Sequence, residues 1–168
     1  MAGPAPKKEK TMSKTMTTSV IPHLCCRNAA EAVEFYQKAL GAEKLCLMQS
    51  PDGRVMHAEL KVDGVTFYLV DEMPEHGVVS PLGLEGTPVS IYLRVPDCDA
   101  VYARAVAAGC KVKTPLQDMF WGDRYGLVVD PYGHKWEIAT ANRTVSREEM
   151  DAVLGAMKGC SETANAAR

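Results

Sequence analysis

One glutamate, two histidines and a group of aromatic side chains are the residues of this chain best placed to do chemistry. Glu137 follows the turn Asp130-Pro131-Tyr132-Gly133, inside the apolar stretch Trp136-Glu137-Ile138-Ala139. His23 lies in Ile21-Pro22-His23-Leu24-Cys25, and His57 in Val55-Met56-His57-Ala58-Glu59. Two imidazoles and one carboxylate on a shared wall would make a two-histidine, one-carboxylate set for a divalent ion such as Zn, Ni, Mn or Fe. Such an ion polarises substrate oxygens and stabilises enolate-like charge. Without an ion, a carboxylate among Tyr68, Tyr92, Phe120 and Trp121 offers negative charge and flat faces to a small aromatic or cationic molecule. Glu137 then needs a hydrogen-bond partner such as Tyr92 or Ser90, because a lone buried carboxylate is costly.

The elements that must position these residues occur twice. An apolar strand over 19–26 leads to Asn28, an N-cap residue with Glu31 three positions on, the spacing of a capping box. Ala29, Val33, Tyr36 and Leu40 recur at helical spacing and Gly41 sits at a C-cap position, so a helix is expected over 29–40. The second pass runs from the alternating segment 89–95 through the cap Asp97 and the stripe Val101, Ala105, Ala108 to the stop Gly109. A strand follows each helix, at 43–49 and 110–114, and then a strand pair, 55–62 with 65–71 and 124–129 with 134–140. Asp63-Gly64 is a two-residue hairpin signal, and Asp130 to Gly133 a longer turn. Leu60, Val62 and Asp63 match Leu127, Val129 and Asp130 without a gap. Ser146-Arg147-Glu148-Glu149 is a capping box that opens a last helix, about 147–157, expected to pack on the body or on a partner subunit.

The fold class is therefore α+β: two tandem βαβββ modules, 19–72 and 87–141, forming a curved, mixed, mostly antiparallel sheet around a cleft, with helices outside. Residues 1–18 are expected to be a disordered tail, 146–158 a C-terminal helix and 159–168 a flexible end. Counting from the caps makes Ile21 equivalent to Ser90. Counting from the turn glycines makes Tyr68 equivalent to Glu137. Strand period two adds His23 and Tyr92 to the same faces. The concave wall then carries His23, Tyr68, Ser90, Tyr92 and Glu137. The loop Gln117 to Gly126 supplies Phe120 and Trp121 as a stacking wall or an end plug, with Asp123 and Arg124 placed to pair. The segment Asp71 to Pro88 is long enough to act as a lid.

Bulk numbers exclude some classes. With 168 residues, 46% hydrophobic and 24% charged, the chain has the composition of a globular domain able to bury a core. A net charge of −2 gives no basic face for nucleic acid, and no apolar run is long enough to span a membrane. Six cysteines without framework spacing or an apolar leader read as reduced thiols in a cytoplasmic protein.

The stretches Asn28-Ala29-Ala30-Glu31-Ala32-Val33-Glu34-Phe35-Tyr36 through Leu40-Gly41-Ala42, and the more specific Asp130-Pro131-Tyr132-Gly133-His134-Lys135-Trp136-Glu137, resemble the vicinal oxygen chelate superfamily. That superfamily includes glyoxalase I, fosfomycin- and bleomycin-resistance proteins and extradiol dioxygenases. The resemblance covers about residues 19–141. It implies paired βαβββ modules, often in a homodimer, and a metal site built from one residue on each of four strands. Those positions hold Ile21, Tyr68, Ser90 and Glu137 here, and only Glu137 is a good ligand. No metal or other cofactor is expected at the superfamily's usual positions; His23, His57 and Glu137 are the candidates for a shifted site.

Two functions follow. The first is a homodimeric protein that holds a small, partly aromatic molecule through Tyr68, Ser90, Tyr92, Phe120, Trp121, Arg124 and Glu137. The alternative is a divalent-metal-dependent lyase, isomerase or dioxygenase. Methyltransferase activity has no support, because no glycine-rich nucleotide loop follows a strand.

Overall fold

The computed structural model describes residues 18–165, with side chains described through residue 156. The expected N-terminal tail lies outside the described residues except for Thr18. The elements run β1 (His23–Cys26), α1 (Ala29–Leu40), β2 (Glu43–Gln49), β3 (Val55–Val62), β4 (Val65–Asp71), β5 (Ser90–Arg94), α2 (Cys98–Ala108), β6 (Lys111–Asp118), β7 (Asp123–Val129), β8 (Lys135–Ala141) and α3 (Arg147–Asn165). The α+β duplication is present, and each βαβββ module builds its own four-stranded sheet. The first has the order β1-β4-β3-β2, the second β5-β8-β7-β6. Each has one parallel pair, β1 with β4 or β5 with β8, and is otherwise antiparallel.

The register repeats as well. His23 lies opposite Tyr68, and Tyr92 opposite Glu137. Tyr68 and Glu137 are therefore equivalent places in the two sheets, as are His23 and Tyr92. The gap-free match of Leu60 with Leu127 does not hold in three dimensions. Leu60 is fully buried on the helix side, but Val128, not Leu127, takes that role in the second module. Val62 pairs with Val65 around a two-residue turn, whereas Val129 pairs with Lys135 and the chain closes with an Asp130 N–H to His134 carbonyl bond of 3.0 Å. The changed loop length shifts the strand by one residue, which turns every side chain to the other face.

Both helices begin on a side chain from the end of the last strand of their own module. The Asp71 carboxylate accepts from the Ala29 N–H at 2.6 Å and, with its other oxygen, from the Val55 N–H at 2.7 Å. In the second module Thr140 Oγ1 accepts from the Cys98 N–H at 2.9 Å and donates to the Val95 carbonyl. Asn28 sits in the left-handed region at φ 64 and accepts from the Glu31 N–H at only 3.4 Å. The first helix is thus held more by Asp71 than by the capping box, a long-range bond that local spacing does not reveal. At the other end α3 continues to Asn165, past the expected stop at 158.

One core serves both modules. Tyr36 from α1, Phe67 from β4 and Trp136 from β8 are 0%, 4% and 2% exposed. Their rings meet at 5.5–5.6 Å between centroids. Burying a side chain of this size contributes about 1.5–3 kcal/mol. The modules meet through the core-facing sides of their sheets, and α1 packs against α2. The opposite face of each sheet, bearing His23 and Tyr68 or Tyr92 and Glu137, points away from this shared core. Among the described residues no helix is long and apolar enough to cross a membrane.

Candidate functional site

Alternation along β5, β7 and β8 places Tyr92, Asp123, Tyr125 and Glu137 on the open face of the second sheet. Glu137 is half-buried between Tyr92 and Leu127, its cross-strand neighbours. The aromatic rings form a chain: Phe120 to Trp121 at 5.0 Å, Trp121 to Tyr125 at 5.8 Å and Tyr125 to Tyr92 at 6.2 Å. The Tyr92 hydroxyl donates to Asp123 Oδ2 at 2.6 Å. Arg94 reaches the same oxygen at 3.4 Å and lies 5.8 Å from the Tyr92 ring centroid. Burial raises the hydroxyl pKa of both tyrosines, reinforced by the Asp123 bond at Tyr92 and by the Glu137 charge at Tyr125. Both therefore remain neutral donors, and the face as a whole combines aromatic surface with two carboxylates and one guanidinium.

The open face of the first sheet carries His23, His57 and Tyr68. Their ring centroids are 6.2 Å apart for the two histidines, 5.9 Å for His23 with Tyr68 and 4.7 Å for His57 with Tyr68, all edge-on. Burial, then the neighbouring His57, lowers the His23 pKa, so this imidazole stays neutral near pH 7.

The Asp130-to-Glu137 stretch divides into two roles. Asp130 is 4% exposed and serves four donors. Oδ1 accepts from the backbone N–H groups of Tyr132 and His134, both at 2.9 Å. Oδ2 accepts from the Tyr36 hydroxyl at 2.6 Å and Trp136 Nε1 at 2.9 Å. Gly133 sits at φ +90, and a Cβ there would come within 2.9 Å of Pro81. Asp130, Gly133, His134 and Trp136 thus tie the modules together, while Lys135 and Glu137 take the open-face positions of the stretch.

The expected site residues fall into two groups and two outliers. Tyr92, Phe120, Trp121 and Glu137 come together on the second sheet. Tyr68 joins His23 and His57 on the first, so it does not wall the same single-chain group. Ser90 keeps the expected face, two residues from Tyr92, but lies exposed at the start of β5, opposite Lys135. Arg124 is turned the other way: it clamps Asp99 of α2 with two bonds of 2.7 Å and approaches Asp118 at 3.4 Å. The expected Asp123–Arg124 pair is not formed, because neighbours in a strand point to opposite faces. His23, His57 and Glu137 are likewise not gathered within one chain, since they belong to different sheets. Among the described residues no group of three or more His, Cys, Asp or Glu side chains is spaced to hold a metal ion. The superfamily's usual ligand positions, with Ile21, Tyr68 and Ser90 beside Glu137, do not supply a donor set either. Tyr125 was not among the expected site residues, and Asp123 was expected to pair with Arg124 rather than with Tyr92 and Arg94. A three-residue turn count at Asp130 would have put Tyr125 on the Glu137 face.

Comparison with known proteins agrees with this architecture. An uncharacterised protein of Mycobacterium tuberculosis, Rv0887c, is 42% identical over 147 residues, 86% of each chain. Among solved structures, TioX from Micromonospora sp. ML1 superposes with a TM-score of 0.59 at 27% identity, covering 74% of this chain and 99% of its own. Protein PA1353 from Pseudomonas aeruginosa gives 0.61 at 25% identity, covering 74% and 98%. The family model of the glyoxalase/bleomycin resistance protein/dioxygenase superfamily matches residues 17–138, and the chain belongs to that superfamily.

Proposed function

We propose that the protein binds a small, partly aromatic, preferably cationic molecule against the Trp121–Tyr125–Tyr92 face, with Glu137 as its charge anchor. The observation that carries this reading is the chain of three aromatic rings beside a half-buried carboxylate. Flat faces stack on a planar ligand, and a nearby carboxylate favours positive charge. The family's description includes bleomycin resistance proteins, which fits a protein that binds a compound without transforming it.

We further propose that the site is completed in a homodimer. The core-facing sides of both sheets are occupied within the chain, while Met48 and Tyr92 on the outward faces remain 57% and 44% exposed. A second copy that sets its first sheet against the second sheet of its neighbour would bring His23, His57 and Tyr68 opposite Glu137.

Native mass spectrometry of protein purified without chelator tests both statements. The expected result is a dimer mass without a stoichiometric divalent ion. One ion per chain, lost in Glu137→Ala and in His23→Ala, would overturn the metal-independent reading in favour of a lyase, isomerase or dioxygenase. A monomer at micromolar concentration would overturn the shared cleft.

A further inference from the structure

A groove of about 280 Å³ lies at the seam between the two modules, bordered by His23 and Cys25 at the edge of the first sheet and apart from the aromatic face of the second. Edge strands β1 and β5 contribute Leu24 and Ile91 to its walls, and the segment 79–89 roofs it with Val79, Pro81 and Leu84. The lining is mostly apolar, and the roof is built rather than loose. Ser80 is fully buried, donates to Glu72 Oε2 at 2.6 Å and accepts from the Gly83 N–H. The Leu84 and Gly86 N–H groups bond back to the Ser80 and Pro81 carbonyls. Lys135 Nζ donates to the Thr87 carbonyl at 2.9 Å.

His134 borders this groove, and its side chain is only 9% exposed. The tautomer follows from its neighbours. The Tyr36 hydroxyl gives its hydrogen to Asp130, so the contacts of His134 Nδ1 to the Tyr36 oxygen at 3.3 Å and to Asp130 Oδ2 at 3.5 Å both require a hydrogen on Nδ1. In the neutral ring Nε2 is then an acceptor. None of the side-chain hydrogen bonds formed by the described residues uses Nε2. Among the described residues no fully enclosed side-chain N or O is without a partner, so Nε2 is not sealed off, and His134 is one of the residues that line the groove.

We infer that this groove is a second ligand site, selective for a small apolar molecule with one hydroxyl or N–H donor, which His134 Nε2 accepts. A volume near the lower end of the roughly 300–1,000 Å³ seen for ligand pockets suits a compact ring system rather than a drug-sized ligand. Asp130 and Tyr36 fix the imidazole, so little ordering is needed on binding.

The test uses the full chain with 2-naphthol and naphthalene as probes, read by isothermal titration and by the imidazole ¹⁵N signals. 2-Naphthol is expected to bind about five- to tenfold more tightly than naphthalene, the effect of one hydrogen bond, and to shift the His134 Nε2 resonance. His134→Leu should abolish that preference; a preference that survives would assign the hydroxyl to His23, the other imidazole of the lining, and overturn the role of His134. Leu84→Trp, at an exposed roof position, should block both probes while leaving the fold intact. Trp121→Ala and Glu137→Gln should leave the shift of the His134 Nε2 resonance by 2-naphthol unchanged, which separates this site from the open-face site. Absence of naphthol binding, equal affinity for both probes, or binding unaffected by Leu84→Trp would each overturn the assignment.

Discussion

Replacing Asp130 by asparagine removes one of two acceptor oxygens that four donors share. The carboxylate receives two backbone N–H groups on Oδ1 and the Tyr36 hydroxyl and Trp136 indole on Oδ2, at 2.6–2.9 Å. An amide keeps one acceptor and turns its NH₂ toward the other two donors, whichever way it is flipped. Hydrogen bonds to a charged group are worth about 1.5–3 kcal/mol each. The Tyr36 hydroxyl can rotate to accept from the new NH₂, so the net loss should be about 3 kcal/mol rather than the sum of two bonds. For a chain of this size that corresponds to a fall in melting midpoint of roughly 6–12 °C. Asp63 provides a matched control. It occupies the equivalent turn of the first module, is exposed, and sits at φ 45, where asparagine is also at ease. Asp63→Asn should stay within about 0.5 kcal/mol of the parent chain. Urea unfolding, followed by far-ultraviolet circular dichroism and by the emission of buried Trp136, measures both. Equal stability of the two variants would refute Asp130 as the tie between modules.

Three other outcomes follow from the same structure. A Cβ on Gly126 would lie 2.5 Å from the Tyr102 ring, so Gly126→Ala should cost about 1–3 kcal/mol in urea unfolding and loosen the Tyr102 hydroxyl bond to the Thr114 carbonyl. Burial, then Glu72 and Asp71, pushes the Cys25 thiol up to about 11, and burial with Asp130 pushes Cys110 up to about 12. Folded chains hold these protons more tightly than unfolded ones, whose thiols titrate near 9. Stability should therefore be level below pH 9 and fall as pH rises through 11, while alkylation of Cys25 at pH 7.5 stays slow until urea unfolds the chain. Arg124→Ala breaks the clamp on Asp99 but does not touch the aromatic face, so ligand affinity in a fluorescence titration should not change.

Local signals were enough for most of the fold. The cap Asn28, the stop Gly41 and the apolar stripe between them mark α1 at its observed ends, and the two turn glycines pair Tyr68 with Glu137 as the strand register does. What stayed hidden depends on distance or parity. Asp71 caps α1 from 42 residues away, and Asp130 meets Tyr36 from 94 residues away. Neither leaves a periodic trace. The face of β7 depends on the length of the Asp130 turn: the observed register puts Tyr125 on the Glu137 face and Arg124 on the other. The separation of His23, His57 and Tyr68 from Glu137 follows from the division into two sheets, and residue spacing cannot distinguish this from one continuous sheet.

The central claim is that the open face of the second sheet recognises a flat cation through its aromatic rings and Glu137. The most direct measurement is a titration with N-methylquinolinium followed by tryptophan emission. The chain has two tryptophans, and Trp136 is buried in the core, so quenching reports on Trp121. The expected result is saturable quenching, weakened about five- to tenfold by Glu137→Gln for the cation but unchanged for neutral quinoline. Equal affinity of the parent chain and Glu137→Gln for the cation, or no quenching at all, would contradict it.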